Sequence, residues 1–299
     1  MTSLRHVISS HGFSYHSYAD DTQLFFSFPP SDTTAETRIS ACLLDIGRWM
    51  SNHHLKLNFH KTELLLFPGK DCPQIDLSIS LNNTTVLPSQ TARSLGVTLD
   101  NQLSFTTHIA AIARSCRFAL FNIRKIRPFL SREAAQLIIQ SLILSRLDYC
   151  NVLLAGLPIS DIQPLQLVQN AAARLVFNLP KFSHISPLFH ELQWLPIIAR
   201  IKFKTLVLAF TAVHHTSPQY LQPLVSFQIP HRTLRPSTSS GRLAPPPLRG
   251  FNSSKSKLFS HLAPKWWNEL PPTIRTAKSL PIFKKQLKTH LFRLHVDSL

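Results

Sequence analysis

Acidic side chains are scarce in this sequence, and unevenly so. The chain carries 32 Lys+Arg against 15 Asp+Glu, a net charge of +17, with a pI near 10.3. Residues 1–100 hold 7 basic and 9 acidic side chains, whereas residues 101–299 hold 25 and 6. The whole positive excess therefore lies in the later part. An excess of this size points to a polyanion or an anionic surface. A catalytic part followed by a polyanion-gripping part has this distribution. So does a basic tail on an unrelated domain.

Closely spaced cysteines are lacking as well. Cys42, Cys72, Cys116 and Cys150 form no CxxC pair, and their spacing suggests neither a zinc site nor a disulfide framework. They read as reduced core thiols of an intracellular protein. Long apolar runs are missing too. The opening "MTSLRHVISSHGF" has no apolar core for a secretory signal. The longest uncharged stretch, Thr205 to Pro230, contains a His pair, glutamines, serines and three prolines, so it does not read as a membrane span. At 299 residues and 44% hydrophobic, the chain can build a sizeable core in two domains, or in one with an appendage.

Against these absences stands "YHSYADDTQLFFSF", residues 15 to 28. Asp20 and Asp21 sit side by side inside an aromatic, apolar run. Adjacent carboxylates repel each other, and strands disfavour Asp. The pair marks either a polar turn or a metal site. "FSYHSYA" and "QLFFSF" predict a strand on each side of it. Pro29 and Pro30 end the second strand, and the following Ser/Asp/Thr cluster supplies helix caps. Ile39, Leu43, Ile46 and Met50 then recur at helical spacing. "KTELLLF" predicts a short strand. "RSLGVTLD" predicts another, with Gly96 permitting a bulge or a close backbone approach.

From Phe105 the pattern becomes helical. Ile109, Ile112, Cys116, Leu120 and Ile123 fall within an arc of roughly 80° on a helical wheel, and Arg114, Arg117, Arg124 and Lys125 on a separate arc of about 100°. No acid lies between Thr106 and Arg132. Solvated faces usually mix signs, so this face fits phosphate contact, with a plain solvated face as the other reading. "REAAQLIIQSLILSRLDYC" is apolar nearly all round and predicts a buried helix. "DIQPLQLVQNAAARLVFNL" and "LPIIARIKFKTLVLAFTAV" give two more. Residues 226–257 are rich in Pro, Ser and Arg and lack acids, like a linker. The remainder predicts short helical pieces, with Trp266–Trp267 as core anchors or base-stacking rings. In the closing "FKKQLKTHLFRL", Phe283, Leu287 and Leu291 predict a docking face. The His53–His54 and His214–His215 pairs do not share a helix face and do not suggest metal.

"SYADDTQLF" resembles the catalytic turn of reverse transcriptases, whose signature is an aromatic residue, any residue, then two aspartates: here Tyr18, Ala19, Asp20 and Asp21. Downstream, "LKLNFHKTELLLF" and "RSLGVTLDNQLSFTTHI" resemble the next palm segments of enzymes from non-LTR (LINE-type) retrotransposons. "SRLDYCNVLLAGLP", "LQLVQNAAARLV" and "APKWWNELPPTIRTAKSLPIFKKQLKTHLF" resemble the helical region and tail of the same elements, in the same order. The resemblance implies an α+β chain, with a truncated polymerase palm at 1–103 and a helical thumb-like region at 104–225. The basic linker at 226–257 and a helical tail at 258–299 complete it.

The resemblance also implies roles. Asp20 is the main ligand of Mg²⁺ (or Mn²⁺), and Asp21 a more peripheral one. Tyr18 and Ala19 pack near the primer terminus. Lys61 assists pyrophosphate departure as an acid, or is simply an exposed Lys at a strand start. Leu95, Gly96 and Val97 match the primer grip, and Arg114, Arg117, Arg124 and Lys125 lie along the template–primer backbone. The implied partners are an RNA template, a DNA primer and a deoxynucleoside triphosphate, with no membrane. The implied location is the nucleus or a cytoplasmic ribonucleoprotein.

The pattern departs from the family ahead of the aspartate pair, where the resemblance also implies fingers, nucleotide-selecting segments and an endonuclease domain that the sequence does not show. The family's further palm Asp lies several dozen residues before the aspartate-pair turn, and the 19 residues before Asp20 contain no acid. The expectation is therefore a C-terminal part of a reverse transcriptase that does not polymerise alone. The alternatives are a non-catalytic nucleic-acid-binding protein and an unstable remnant with unpaired strand edges.

Overall fold

The computed structural model describes residues 3–58, 61–69, 77–81, 84–228, 241–244 and 258–296. The chain divides into two compact units, Met1–Ser104 and Phe105–Leu299. Together they mix α and β structure, as expected.

The first unit runs α1 (Leu4–Ser10), β1 (Ser14–Tyr18), β2 (Asp21–Phe25), α2 (Ala35–Asn52), β3 (Leu64–Leu65), β4 (Ile79–Leu81), β5 (Thr84–Val86), β6 (Pro88–Ser89), β7 (Thr91–Ser94) and β8 (Val97–Asp100). Its described strands form two-stranded ribbons. β1–β2, β4–β5 and β7–β8 are antiparallel, and β3–β6 is parallel. Isolated ribbons of this size are marginal in water, so packing must hold them. Ile39, Cys42 and Ile46 of α2 provide it, burying against Ile8 of α1, Phe13, Leu77 and Ile79. Each such large side chain contributes about 1.5–3 kcal/mol on burial. Tyr15 and Leu24, paired across β1–β2, turn their face of the ribbon to this cluster. Phe13 and Phe26 extend that face and stack at 4.7 Å.

Local chemistry fixes the start of α2 and ties its middle to α1. Asp32 accepts the Thr34 amide at 2.8 Å and the Thr34 hydroxyl at 2.6 Å. The expected cap is therefore a polar turn just ahead of the helix, since Thr34 makes no side-chain cap bond. Those two bonds hold the Asp32 carboxyl below its ordinary value. Asp45 ties α2 to the end of α1 through His11 at 2.9 Å, and that bond lowers its pKa too.

The second unit is helical among its described residues apart from one isolated bridge. It runs α3 (Thr106–Ile126), α4 (Arg132–Ile139), a π-turn (Gln140–Leu144), α5 (Ser145–Asp148), α6 (Ile159–Val176), α7 (Ser186–Leu192), α8 (Ile197–Val213), α9 (Phe259–Asn268), α10 (Pro272–Arg275) and α11 (Leu280–His295). α3 packs on α6, α6 on α4 and α8, and α8 on α9 and α11. Arg127 is buried where α3 gives way to α4. Its guanidinium donates to Leu175 O at 2.9 Å and Val176 O at 2.7 Å, the last carbonyls of α6, and to Leu130 O at 2.8 Å. It thus adds to the Asn178 amide's bond to Leu175 O at 3.2 Å in satisfying this helix end.

Residues 258–296, expected as a tail, join the core built around α8. Trp267 is fully buried with Phe210, Phe283, Leu287 and Leu291, and stacks on Phe283 at 5.3 Å. Most of the expected linker, 229–240 and 245–257, lies outside the described residues. Its short described piece is pinned. Trp267 Nε1 donates to Gly241 O at 2.7 Å. The Asn268 amide clamps Leu243 with two bonds of 2.9 Å. Leu243 is buried, and it bridges to Phe227.

Three expectations need correction. "RSLGVTLD" is not one strand: Leu95 (φ 46°) and Gly96 (φ 81°) both adopt positive φ, the sign pattern of a type I′ turn, and they fold β7 onto β8. "REAAQLIIQSLILSRLDYC" is not buried all round, because Leu137 and Leu142 are exposed. Of its buried residues, Ala135, Ile139, Ile143 and Leu147 recur every four positions, with Leu144 buried beside Ile143. That spacing drifts about 40° per step on an α-helix, and the wider π-turn takes the drift back. Finally, Cys150 is exposed, not a core thiol. Cys42 and Cys116 are buried as expected. Burial, with Asp45 nearby, pushes the Cys42 thiol up to about 11. Cys72 lies outside the described residues.

Candidate catalytic turn and nucleic-acid interface

The aspartate pair occupies the tip of the β1–β2 hairpin. Ala19 and Asp20 form the two-residue turn, and Tyr18 pairs with Asp21 across it. Ala19 holds φ at 53°, a left-handed conformation that costs a residue with a Cβ. Asp20 and Asp21 are both exposed, and Tyr18 is 70% exposed. The turn therefore offers two carboxylates to solvent beside an uncovered aromatic ring.

Strand alternation puts Asp21, Gln23, Tyr18 and His16 on the face opposite the core cluster. On that face Gln23 donates a hydrogen bond to the Ser94 hydroxyl. Ser94 is the last residue of β7, immediately before Leu95 and Gly96. The structure thus brings the aspartate hairpin and the expected primer-grip turn together within the first unit. Val97, the next residue, is buried and anchors β8. Glu63 extends the arrangement by accepting the Arg93 amide at 2.8 Å. This bond links β7 to the segment that carries Lys61. Lys61 itself is exposed, with its amide bonded to Asn58 O at 3.1 Å.

The donor set fits a hard divalent cation in part. Mg²⁺ accepts one or two protein carboxylates when substrate phosphates complete its shell, and Asp20 and Asp21 supply that number. Among the described residues no group of three or more His, Cys, Asp or Glu side chains could hold a metal. The two His pairs are engaged elsewhere. His53 bonds Trp49 O at 2.8 Å, and His214 packs on Phe210 with ring centroids 4.2 Å apart.

In the second unit, α3 buries Ile109, Ala113, Cys116, Leu120 and Ile123, the face its periodicity predicts. Arg114, Arg117, Arg124 and Lys125 are all exposed on the other side. Two residues of this face escaped the sequence reading. Phe118 is 68% exposed and Phe121 is 57% exposed. On the helical wheel Phe121 falls inside the basic arc and Phe118 about 20° beyond it. Their wheel positions, set against the core arc, were the available signal. The Lys125 ammonium lies 4.4 Å from the Phe121 ring centroid. Trp266–Trp267 resolves the other way: Trp267 is a core anchor, and Trp266 packs against the same core. Among the described residues no helix is long and apolar enough to cross a membrane.

The sequence is 26% identical over 186 residues to the probable RNA-directed DNA polymerase from transposon BS of Drosophila melanogaster. It is 29% identical over 102 residues to the RNA-directed DNA polymerase from mobile element jockey of the same organism. The first match takes in 59% of this chain and 20% of that relative, and the second 33% and 11%. The chain thus spans a fifth or less of the length of these curated relatives. No family model and no solved structure matches it. The resemblance carried by the ordered motifs is borne out: the chain is similar to reverse transcriptases of mobile elements.

Proposed function

We propose that the chain carries the aspartate-pair turn, the primer-holding turn and the nucleic-acid-gripping helices of a LINE-type reverse transcriptase. Its relatives, RNA-directed DNA polymerases by name, support a reverse-transcriptase-like function at the coarse level. The observation that carries the finer reading is the Gln23–Ser94 hydrogen bond, which joins the carboxylate hairpin to the Leu95–Gly96 turn. In this reading Asp20 is the principal ligand of Mg²⁺ or Mn²⁺, and Asp21 the peripheral one. The metal supplies charge stabilisation for the attacking and leaving oxygens of an in-line nucleotidyl transfer. Tyr18 and Ala19 flank the primer terminus. Gly96, having no side chain, lets a sugar–phosphate approach the turn closely, while Leu95 and Val97 hold the turn in place. The Lys61 ammonium donates a proton to the departing pyrophosphate. Arg114, Arg117, Arg124 and Lys125 neutralise phosphates of an RNA template and DNA primer. The setting is intracellular, in the nucleus or a cytoplasmic ribonucleoprotein, and the regions 1–103, 104–225 and 258–299 serve as partial palm, thumb and tail.

By itself this chain binds nucleic acid without polymerising. Two carboxylates on one hairpin lack the further palm Asp of the family's set, and the described residues gather no third donor around them. Primer extension with Mg²⁺ or Mn²⁺ on an RNA template tests this directly. No extension is expected. Robust synthesis that Asp20→Ala abolishes contradicts the inactivity and leaves the metal assignment standing.

A further inference from the structure

Phosphate neutralisation accounts for the cations of α3 but not for the rings among them. Arg114, Phe118, Phe121 and Lys125 follow one another at spacings of four, three and four residues, the spacing that stacks side chains along one helix face. The two rings are more than half exposed on a face that also bears Arg117 and Arg124. Burying Phe is worth kilocalories, so two uncovered rings on one stripe are a cost that an occupant relieves. A duplex offers that stripe phosphates and sugars but keeps the faces of its bases stacked on each other. An unpaired strand offers both phosphates and free base faces.

We infer that the Arg114–Phe118–Phe121–Lys125 stripe is a stacking platform for unpaired nucleic acid, on which two bases lie against Phe118 and Phe121 while the flanking cations hold the backbone. Charge selects this occupant over an apolar protein segment, because the helix and its flanks carry no acid from Thr106 to Arg132. The side-chain anchors of neighbouring turns stand about 5–6 Å apart, a separation that successive bases of a flexible single strand can match. Lys125 already sits over the Phe121 ring. Exposed cation–π contacts are weak, so an entering base displaces the ammonium and leaves it beside the strand's phosphate. The inference deepens the nucleic-acid reading of α3 and rests on it.

The test compares the full chain with its Phe118→Leu/Phe121→Leu variant. The probes are a fluorescent poly-pyrimidine single strand and a blunt RNA–DNA hybrid of equal length, each titrated across a salt series. Leu keeps the helix and its apolar surface but loses the rings, and circular dichroism checks the helix content. Stacking on aromatic rings is worth roughly 1–3 kcal/mol per base, about 5- to 150-fold. The variant should therefore lose at least tenfold in single-strand affinity, with hybrid affinity and both salt slopes unchanged. Phe118→Trp/Phe121→Trp should restore or exceed wild-type single-strand binding. Independently, photo-crosslinking of a bromouracil-containing strand to the native chain should map to residues 117–125. Unchanged single-strand binding by the Leu variant overturns the platform while the charge reading survives. So does an equal loss on both probes. Failure of the native chain to bind either probe at low salt overturns both readings.

Discussion

The two units stabilise themselves differently, and the difference explains where exposed chemistry can sit. The first unit packs residues of its β1–β2, β3–β6 and β4–β5 ribbons against a small cluster under α2. Its hairpin tips project beyond that cluster, so Asp20, Asp21, Leu95 and Gly96 are positioned by a few local bonds. The second unit buries whole helix faces in a larger core centred on α8 and Trp267. α3 packs its buried face on α6, and that packing positions its exposed face. A turn gives up packing to present carboxylates. A long helix presents cations at little cost.

The largest way to break that contrast is Trp267→Ala. It removes a fully buried ring, its stacking on Phe283 and its bond to Gly241 O. A loss of about 3–5 kcal/mol is expected from cavity formation. In denaturant melts followed by far-ultraviolet dichroism, the helical signal should shift strongly. Metal-independent probes on the β1–β2 hairpin should lag behind it. A smaller step sharpens the first unit. Gly96→Ala places a Cβ where φ is 81°, costing roughly 1–2 kcal/mol. Amide exchange should speed up across β7–β8 and leave α3 unaffected.

Some of this was legible in the sequence and some was not, for definite reasons. The β1–β2 hairpin showed itself because two aspartates interrupt an aromatic run. The core face of α3 showed itself through a clean period. The β7–β8 hairpin did not, because Leu95 is a poor left-handed residue, and the apolar pair Leu95–Val97 looks strand-like on either side of Gly96. The π-turn was hidden because a four-residue recurrence reads as an ordinary helix. Phe118 and Phe121 were passed over because aromatic rings are usually core. Leu243 was lost in a Pro/Ser-rich stretch whose docking depends on Asn268 and Trp267, far along the chain.

Acid separates the units with a still smaller effect. Burial, assisted by Lys202, lowers the pKa values of His290 and His295 on α11, and burial alone lowers that of His108 on α3. The fold favours their neutral forms. Their contribution is therefore complete above the unfolded value, near 6.5, and is lost as pH falls through the lowered folded values. In the first unit, Asp32 and Asp45 are lowered from 3.8. Their contribution is complete above that value and fails only as pH falls below it. On titration from neutrality the second unit should weaken first, read as earlier loss of tryptophan burial at α9 than of exchange protection in α2.

The central claim is that the basic face of α3 grips nucleic-acid phosphates, and the salt dependence of binding tests it most directly. Affinity of the full chain for an RNA–DNA hybrid is measured from low to moderate salt. It is compared with a variant in which Arg114, Arg117, Arg124 and Lys125 are all replaced by Gln. Each phosphate contact contributes about 0.9 to the slope of log affinity against log salt for B-form duplex. The account predicts a steep slope for the native chain and a slope shallower by roughly 3 to 4 in the variant. Identical slopes would contradict it.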